Sequence, residues 1–354
     1  MDQHEVDVII PVHSATRPVR RAAKSVLDHT QVTVRVTVIA HNIDQKIIEK
    51  NLGDLTQDPR LRILHLSDFI ASPSGPMNLG LSKATAPYVS LLGSDDLLSP
   101  GALDSWYRIA VETGATTVIP RIEGGISGVL PLPPTRRART RELDAVRDRL
   151  LYRCTPVGLI SRLHFPDLRF APYLSSGEDL AFTAELWFRG RHIAYDRSGP
   201  SYTGPEDELD RVSSISSRSI EEDFGFLEAV EGAAWFPSLS KQQRLAFGVK
   251  TLRLHVFDAI AGRLAGEGGI TPHLQALRNV IERIEAMAPG SRALLSRADR
   301  GVLDELSNES PSPESIVACL GMRWSGDRNA LLPRNPLLAL HPQAPYLTLR
   351  NSRP

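Results

Sequence analysis

The sequence predicts an α/β fold, a largely parallel sheet flanked by helices, followed by a mainly helical C-terminal region. Short apolar runs alternate with segments of helical period through the first two hundred residues. The runs are continuous rather than alternating, as in strands buried on both faces. From about Ser219 the texture turns to helical periodicity with few candidate strands. A length of 354 residues fits two domains at roughly 100–200 residues each, and the change of texture sets the boundary at residues 1–215 and 216–354.

The first apolar run, residues 6–11, reads as a strand, and residues 19–27 as an amphipathic helix between basic side chains. Strands follow at 34–40 and 62–66, a helix at 79–84, and a buried strand at 88–92 that stops at Gly93, Ser94, Asp95 and Asp96. Ser99 and Pro100 suit a helix cap and first turn, leading into a helix at 102–112. After a strand at 116–120 the pattern breaks. Residues 124–140 are rich in Gly and Pro and end in Arg136, Arg137, Arg139 and Arg141, a loop rather than an element. A helix at 142–153, a strand at 156–161 and a helix beginning at Glu178 restore order. In that last helix Phe182, Trp187 and Phe188 have the spacing of core packing. Helical patterns at 243–264 and 274–287 fill the C-terminal region, and the Pro- and Leu-rich end, 327–354, reads as an extended tail.

Composition narrows the function classes. Lys plus Arg, 41, equals Asp plus Glu, 41, so no basic excess draws the chain to nucleic acid. Its two cysteines, Cys154 and Cys319, have neither metal-ligand spacing nor a disulfide framework, which suits a reducing compartment. The N-terminus lacks the basic flank and small-residue cleavage site of a signal peptide, and no apolar run reaches about 18 residues. The expectation is a cytoplasmic enzyme or binding protein.

Ligands of open parallel sheets bind beyond the strands' carboxyl ends, and three exits carry chemistry: Pro11, Val12 and His13; His41 and Asn42; and Ser94, Asp95 and Asp96. Adjacent carboxylates after a buried strand suit a hard divalent cation, although a turn and helix cap would use the same residues. Glu178 and Asp179 open a helix, where acidic residues complement the macrodipole, or where one serves as a general base. The arginine cluster suits either a solvated loop or a phosphate or anionic membrane surface. Neither His13 nor His41 has a second histidine at ligand spacing, so both read as pocket-wall residues.

Three segments taken together, VDVIIPVHSATRPVRRAAKSVLDHT, PMNLGLSKATAPYVSLLGSDDLLSPGALD and LRFAPYLSSGEDLAFTAELWFRGRHIAYD, resemble the successive blocks of family 2 glycosyltransferases with the GT-A fold. The resemblance covers about residues 5–215. It implies a Rossmann-like catalytic domain and an inverting, non-processive transfer of a sugar from a nucleotide-diphosphate donor to a hydroxyl of a glycan or lipid-linked acceptor in cell-envelope polysaccharide synthesis. Carried over residue by residue, Pro11, His13, His41, Asn42, Asn78, Ser94 and Asp95 meet the donor, with a UDP-sugar the first expectation. Asp95 and Asp96 hold Mn2+ or Mg2+, Asp179 is the base and Glu178 orients it. Arg211 to Ser216 resemble a loop that closes over the donor.

The chain also departs from the family. Gly93 stands where an Asp is usual, His41 and Asn42 stand where Asp-Asp or Asp-Asn is usual, Met77 replaces an Arg, and no QxxRW motif follows the Glu-Asp pair. An inactive nucleotide-sugar or glycan-binding member remains an alternative. A nucleotidyltransferase is a second, opposed by the absence of glycine from Val12 to Thr16. Peripheral membrane contact and homo-oligomerisation stay open.

Overall fold

β-Branched residues dominate the first two strands, β1 (Val6–Val12) and β2 (Val34–His41), which are buried along nearly their whole length. They pair in parallel from Val6 opposite Val34 to Val12 opposite Ala40. β3 (Leu61–Leu66) continues the sheet beside β2, and β4 (Tyr88–Leu91) lies parallel on the other side of β1. The crossovers are α1 (Val19–Leu27), α2 (Gln45–Leu52) and α3 (Ser74–Lys83). On α1 the buried Val19, Ala22, Ala23, Val26 and Leu27 form one face at helical spacing, against the sheet's core. The computed structural model describes residues 4–124, 134–136, 139–204, 218–266 and 268–352.

Beyond β4 the chain forms β5 (Leu97–Leu98), α4 (Ala102–Thr113), β6 (Thr117–Gly124), β7 (Leu159–Ser161), α5 (Glu178–Arg189) and β8 (Ala194–Gly204). The eight strands make one sheet in the order β3-β2-β1-β4-β7-β6-β8-β5. The α/β layout with flanking helices is the expected one, but the sheet is mixed: β7 runs antiparallel to β4 and β6, and β5 antiparallel to β8. β5 is too short to carry a periodicity signal, and β7, which ends the run read as a strand at 156–161, carries no signal of its direction. Helix α4 starts later than Ser99 and Pro100 suggested, with Gly101 at φ 77° as its cap. Ser99 is drawn to β8 instead, its N–H reaching the Ser201 carbonyl at 2.9 Å and its hydroxyl the Ser201 hydroxyl at 2.8 Å.

The chain divides into two compact units. The first comprises Met1–Leu132, Ala138–Leu143 and Thr155–Val212; the second Pro133–Arg137, Asp144–Cys154 and Ser213–Pro354. Where a helix was expected at 142–153 the chain instead turns, ending in a 3-10 turn at Leu150–Tyr152. Local carboxylates explain this: Asp144 accepts from the backbone N–H groups of Val146 and Arg147, and buried Asp148 from those of Asp144 and Arg136. Both offer the backbone an alternative to helix.

The second unit is helical: α6 (Ile220–Asp223), α7 (Phe226–Glu231), α8 (Lys241–Lys250), α9 (Phe257–Ala265), α10 (Leu274–Met287), α11 (Arg297–Leu306), α12 (Pro313–Met322), α13 (Arg328–Leu331) and α14 (Pro345–Ser352). Reciprocal capping boxes start α6, α8 and α11, pairing Ser219 with Glu222, Ser240 with Gln243 and Ser296 with Asp299. A π-helical stretch, Thr251–Val256, joins α8 to α9. Leu252, Val256, Phe257 and Ile260 are fully buried along this rod. The expected extended tail is folded into short helical segments, α13 capped by the Asp327 carboxylate, and α14. Both cysteines are free and half-buried. Among the described residues no helix is long and apolar enough to cross a membrane.

Candidate active site

Strand order builds the site. Since β2, β1 and β4 are neighbours and parallel, the residues that leave them emerge along one edge of the sheet. Pro11, Val12 and His13 leave β1; His41 and Asn42 leave β2; Gly93 to Asp96 follow β4. Helix α5 ends just before β8 begins, so its C-terminus lies at the edge where β8 starts. Its 12 residues, about 18 Å of helix, direct Glu178 and Asp179 toward the opposite edge, where the exits lie.

The first two exits meet in a pocket of 240 Å³ lined by Pro11, His13, His41, Asn42, Ile70 and Pro76, among others. Its far wall, the loop after β3, is pinned by side chains. The Asn42 Oδ1 accepts from the N–H groups of Asp68 and Phe69 at 3.1 and 2.9 Å, and its amide donates to the Ile70 carbonyl at 3.2 Å. His41 Nε2 lies 2.8 Å from Asp68 Oδ1. Burial raises the Asp68 carboxyl, but the Ile70 N–H and His41 outweigh it and leave its pKa below the ordinary value. Asn42 and Phe69 both adopt positive φ, 55° and 58°, and the Phe69 side chain is exposed. Asn42 tolerates that conformation well; the price of holding Phe69 there is met by the Asn42 clamp.

The acidic turn after β4 is tied on both sides. Arg17 ion-pairs with the Asp95 carboxylate through Nη1, and Arg21 donates to the Asp95 carbonyl at 3.0 Å. The Tyr202 hydroxyl of β8 donates to Asp96 Oδ2 and accepts the Gly93 N–H at 3.1 Å. Burial, eased by the Tyr202 hydrogen bond and reinforced by the Asp95 charge, pushes the Asp96 carboxyl up to about 6. Burial likewise raises the Tyr202 phenol well above its usual range. Ser94 is buried beside them.

Gly93 explains how two carboxylates share this turn. A Cβ on that residue would lie 2.3 Å from Asp96 Oδ2 and 3.2 Å from Asp95 Oδ1, so both oxygens converge on the space a side chain would fill. Two neighbouring carboxylates are by themselves only part of the ligand set of a divalent cation, which would need further oxygens from a phosphorylated ligand and water. Among the described residues no group of three or more His, Cys, Asp or Glu side chains could hold a metal by itself.

Helix α5 opens on Gly177 at φ 73°, placing Glu178 and Asp179 in its first turn, both half-buried. Phe182 and Trp187 are buried, Phe182 stacking on Phe170 at 4.1 Å between ring centroids. The Asn78 amide exchanges two hydrogen bonds with the Phe170 backbone, at 2.9 and 2.8 Å. It ties α3 to the segment leading into α5. The arginine cluster is also dispersed. Arg136 pairs with Asp148, Arg141 donates to the Thr140 carbonyl, and Arg139 is exposed; Arg137 and the stretch Arg211 to Ser216 lie outside the described residues. Arg17, Asp68 and Tyr202 carried no sequence signal, because each acquires its role only through a partner 27 or more positions away.

Comparison with known proteins bears on family and fold. Residues 7–165 match the family described as Glycosyl transferase family 2. A poly(ribitol-phosphate) beta-glucosyltransferase of Bacillus spizizenii is 22% identical over 62% of this chain and 38% of its own length. The poly(ribitol-phosphate) beta-N-acetylglucosaminyltransferase TarP of Staphylococcus aureus is 24% identical over 54% of this chain and 59% of its own. The chain thus spans less than two thirds of either relative. The crystal structure of S. aureus TarS 1–349 in complex with UDP-GlcNAc superposes with a TM-score of 0.72 at 17% identity, covering 90% of each chain, which establishes a shared fold.

Proposed function

The chain carries a family 2 glycosyltransferase domain, and from that premise we propose that it transfers a sugar, with inversion, from a UDP-sugar to a hydroxyl of a polyol-phosphate or other envelope glycan. The observation that carries this reading is the convergence of Asp95 and Asp96 over Gly93, on the same sheet edge as the pocket of His41 and Asn42. A pocket of 240 Å³ is smaller than the ~300–1,000 Å³ of whole-ligand sites. It suits the base end of a donor whose diphosphate reaches out over the acidic turn. Its apolar walls, Pro11, Ile70 and Pro76, cover the faces of a planar ring, while His41, Asn42 and the pinned loop offer polar edges.

Asp95 and Asp96 would hold Mn2+ or Mg2+, which when bound offsets the charge of the leaving diphosphate. Asp179 takes the acceptor's proton as the acceptor oxygen bonds to the anomeric carbon. The bond from that carbon to the diphosphate oxygen breaks on the opposite face, and its electron pair leaves with the diphosphate. Glu178 lies beside Asp179 in the same helical turn and orients it. The relatives named for poly(ribitol-phosphate) motivate the choice of acceptor.

Calorimetric titration with UDP, GDP and dTDP, each with and without Mn2+, followed by UDP release from UDP-glucose and UDP-GlcNAc in the presence of poly(ribitol phosphate), tests the proposal. The expected result is Mn2+-enhanced binding of UDP and acceptor-dependent turnover. Asp179→Asn should then cut kcat by about 10²–10⁴ with UDP affinity unchanged. Failure to bind any of the nucleotides sinks the donor-site reading, and binding without turnover moves the chain to a nucleotide-sugar-binding role.

A further inference from the structure

Arg17 ion-pairs with the Asp95 carboxylate of the acidic turn. It sits between the β1 exit and α1 and is 6% exposed, so its guanidinium is held in place rather than waving in solvent. The Asp95 oxygen that it engages belongs to the carboxylate that converges on the Gly93 cradle. A guanidinium and a divalent cation compete for one carboxylate, because each repels the other at such range. Asp95 and Asp96 together cancel a bound dication, so the charge on a donor's diphosphate would still require a counter-charge. Arg17, already on the Asp95 carboxylate, is placed to supply one, and a guanidinium fork is well matched to phosphate oxygens.

We propose that Arg17 is an exchangeable counter-charge: it holds Asp95 while the donor is absent, and moves to the leaving diphosphate when donor and cation occupy the turn. This rests on the glycosyltransfer reading. It makes Arg17 a catalytic residue that stabilises the breaking bond's electron pair on the diphosphate, and it gives the site an order, since releasing Asp95 is favourable only when the diphosphate arrives to receive Arg17. Arg21, held by the Asp95 carbonyl, anchors the turn through the exchange.

Titration of Mn2+ alone into nucleotide-free protein separates the two halves of the proposal. Arg17→Met, which keeps the bulk of the side chain, should bind Mn2+ about tenfold more tightly than the unsubstituted protein because its competitor is gone. The same variant should bind UDP more weakly at saturating Mn2+ and lose about 10²–10³ in kcat, the usual effect of deleting one transition-state charge partner. Arg17→Lys should lie between. Opposite signs in the two titrations support the exchange. Weaker binding of both Mn2+ and UDP by Arg17→Met and Arg17→Lys, with unchanged melting temperature, reduces Arg17 to a scaffold for the turn and overturns it. Tighter Mn2+ binding with UDP affinity and turnover unchanged overturns the transfer to diphosphate. If the unsubstituted protein binds no UDP, it is the donor-site reading that fails.

Discussion

At the scale of single residues, Gly93 matters for the space it leaves. Family resemblance makes it look like a lost aspartate, whereas the Asp96 carboxylate already occupies the position where the side chain would begin. Gly93→Ala should displace that carboxylate from Tyr202, costing about 1–3 kcal/mol of stability, and abolish the Mn2+ enhancement of UDP binding. Gly93→Asp, which restores the family pattern, should be no better; recovery of metal-dependent binding in it would refute this account of the turn. Asp96 adds a dependence on pH. Its folded pKa of about 6 stands above the ordinary 3.8, so the folded state holds a proton that the unfolded state has released between those values. Its contribution therefore favours folding at low pH and is lost as pH rises through about 6. Asp96→Asn should raise stability at pH 8 by on the order of 2–3 kcal/mol, with little gain near pH 4, while losing metal-dependent binding. Thermal melts at the two pH values measure this, and an equal gain at both would count against the buried carboxylate as its source.

At the scale of elements, the π-helical stretch between α8 and α9 holds a second titrating group. Buried Lys250 donates to His255 Nε2 at 2.6 Å, and burial, with the Lys250 charge adding to it, holds the His255 pKa well below 6.5. Unfolding frees the imidazole to take a proton, so stability is lost as pH falls below 6.5, by at most about 1.4 kcal/mol per pH unit. His255→Gln, which keeps an acceptor for Lys250, should lose less melting temperature between pH 7.5 and 5.5 than the unsubstituted protein. Parallel curves would show that another group governs acid sensitivity. Nothing in the periodicity of residues 243–264 marks this stretch, because six residues are little more than one π-turn and too few to show a period of their own. The legible elements were those with a strong local pattern: β1, β2, β4, α1 and α10. Strand β5 has too few residues to show one, whereas β7 falls at the end of the run read as a strand at 156–161. The expected helix at 142–153 failed through local carboxylates that capture backbone donors. In the site, the strand exits could be read because sheet topology makes them converge. Arg17 and Tyr202 could not, since their partners are chosen by tertiary packing alone.

At the scale of the whole molecule, the chain passes between its two units more than once. Residues Pro133–Arg137 and Asp144–Cys154 belong to the second unit although sequence on either side belongs to the first. Asp148, Arg149, Leu150 and Leu151 are buried, and Gln343, near the far end of the chain, donates to the Val146 carbonyl at 2.7 Å. A fragment ending at residue 215, where the sequence texture changes, would strand these side chains without the helices they pack with. It should bind 1-anilinonaphthalene-8-sulfonate and melt without a cooperative transition; a sharp melt matching that of the full chain would show that the first unit folds without the second. The same interleaving constrains descent. One crossover near residue 213 could not deliver the helical unit intact to another catalytic domain, because two pieces of it would stay behind in the donor's own sequence. A recombinant that exchanges the helices would therefore have to exchange, in step, a short stretch from the middle of the chain.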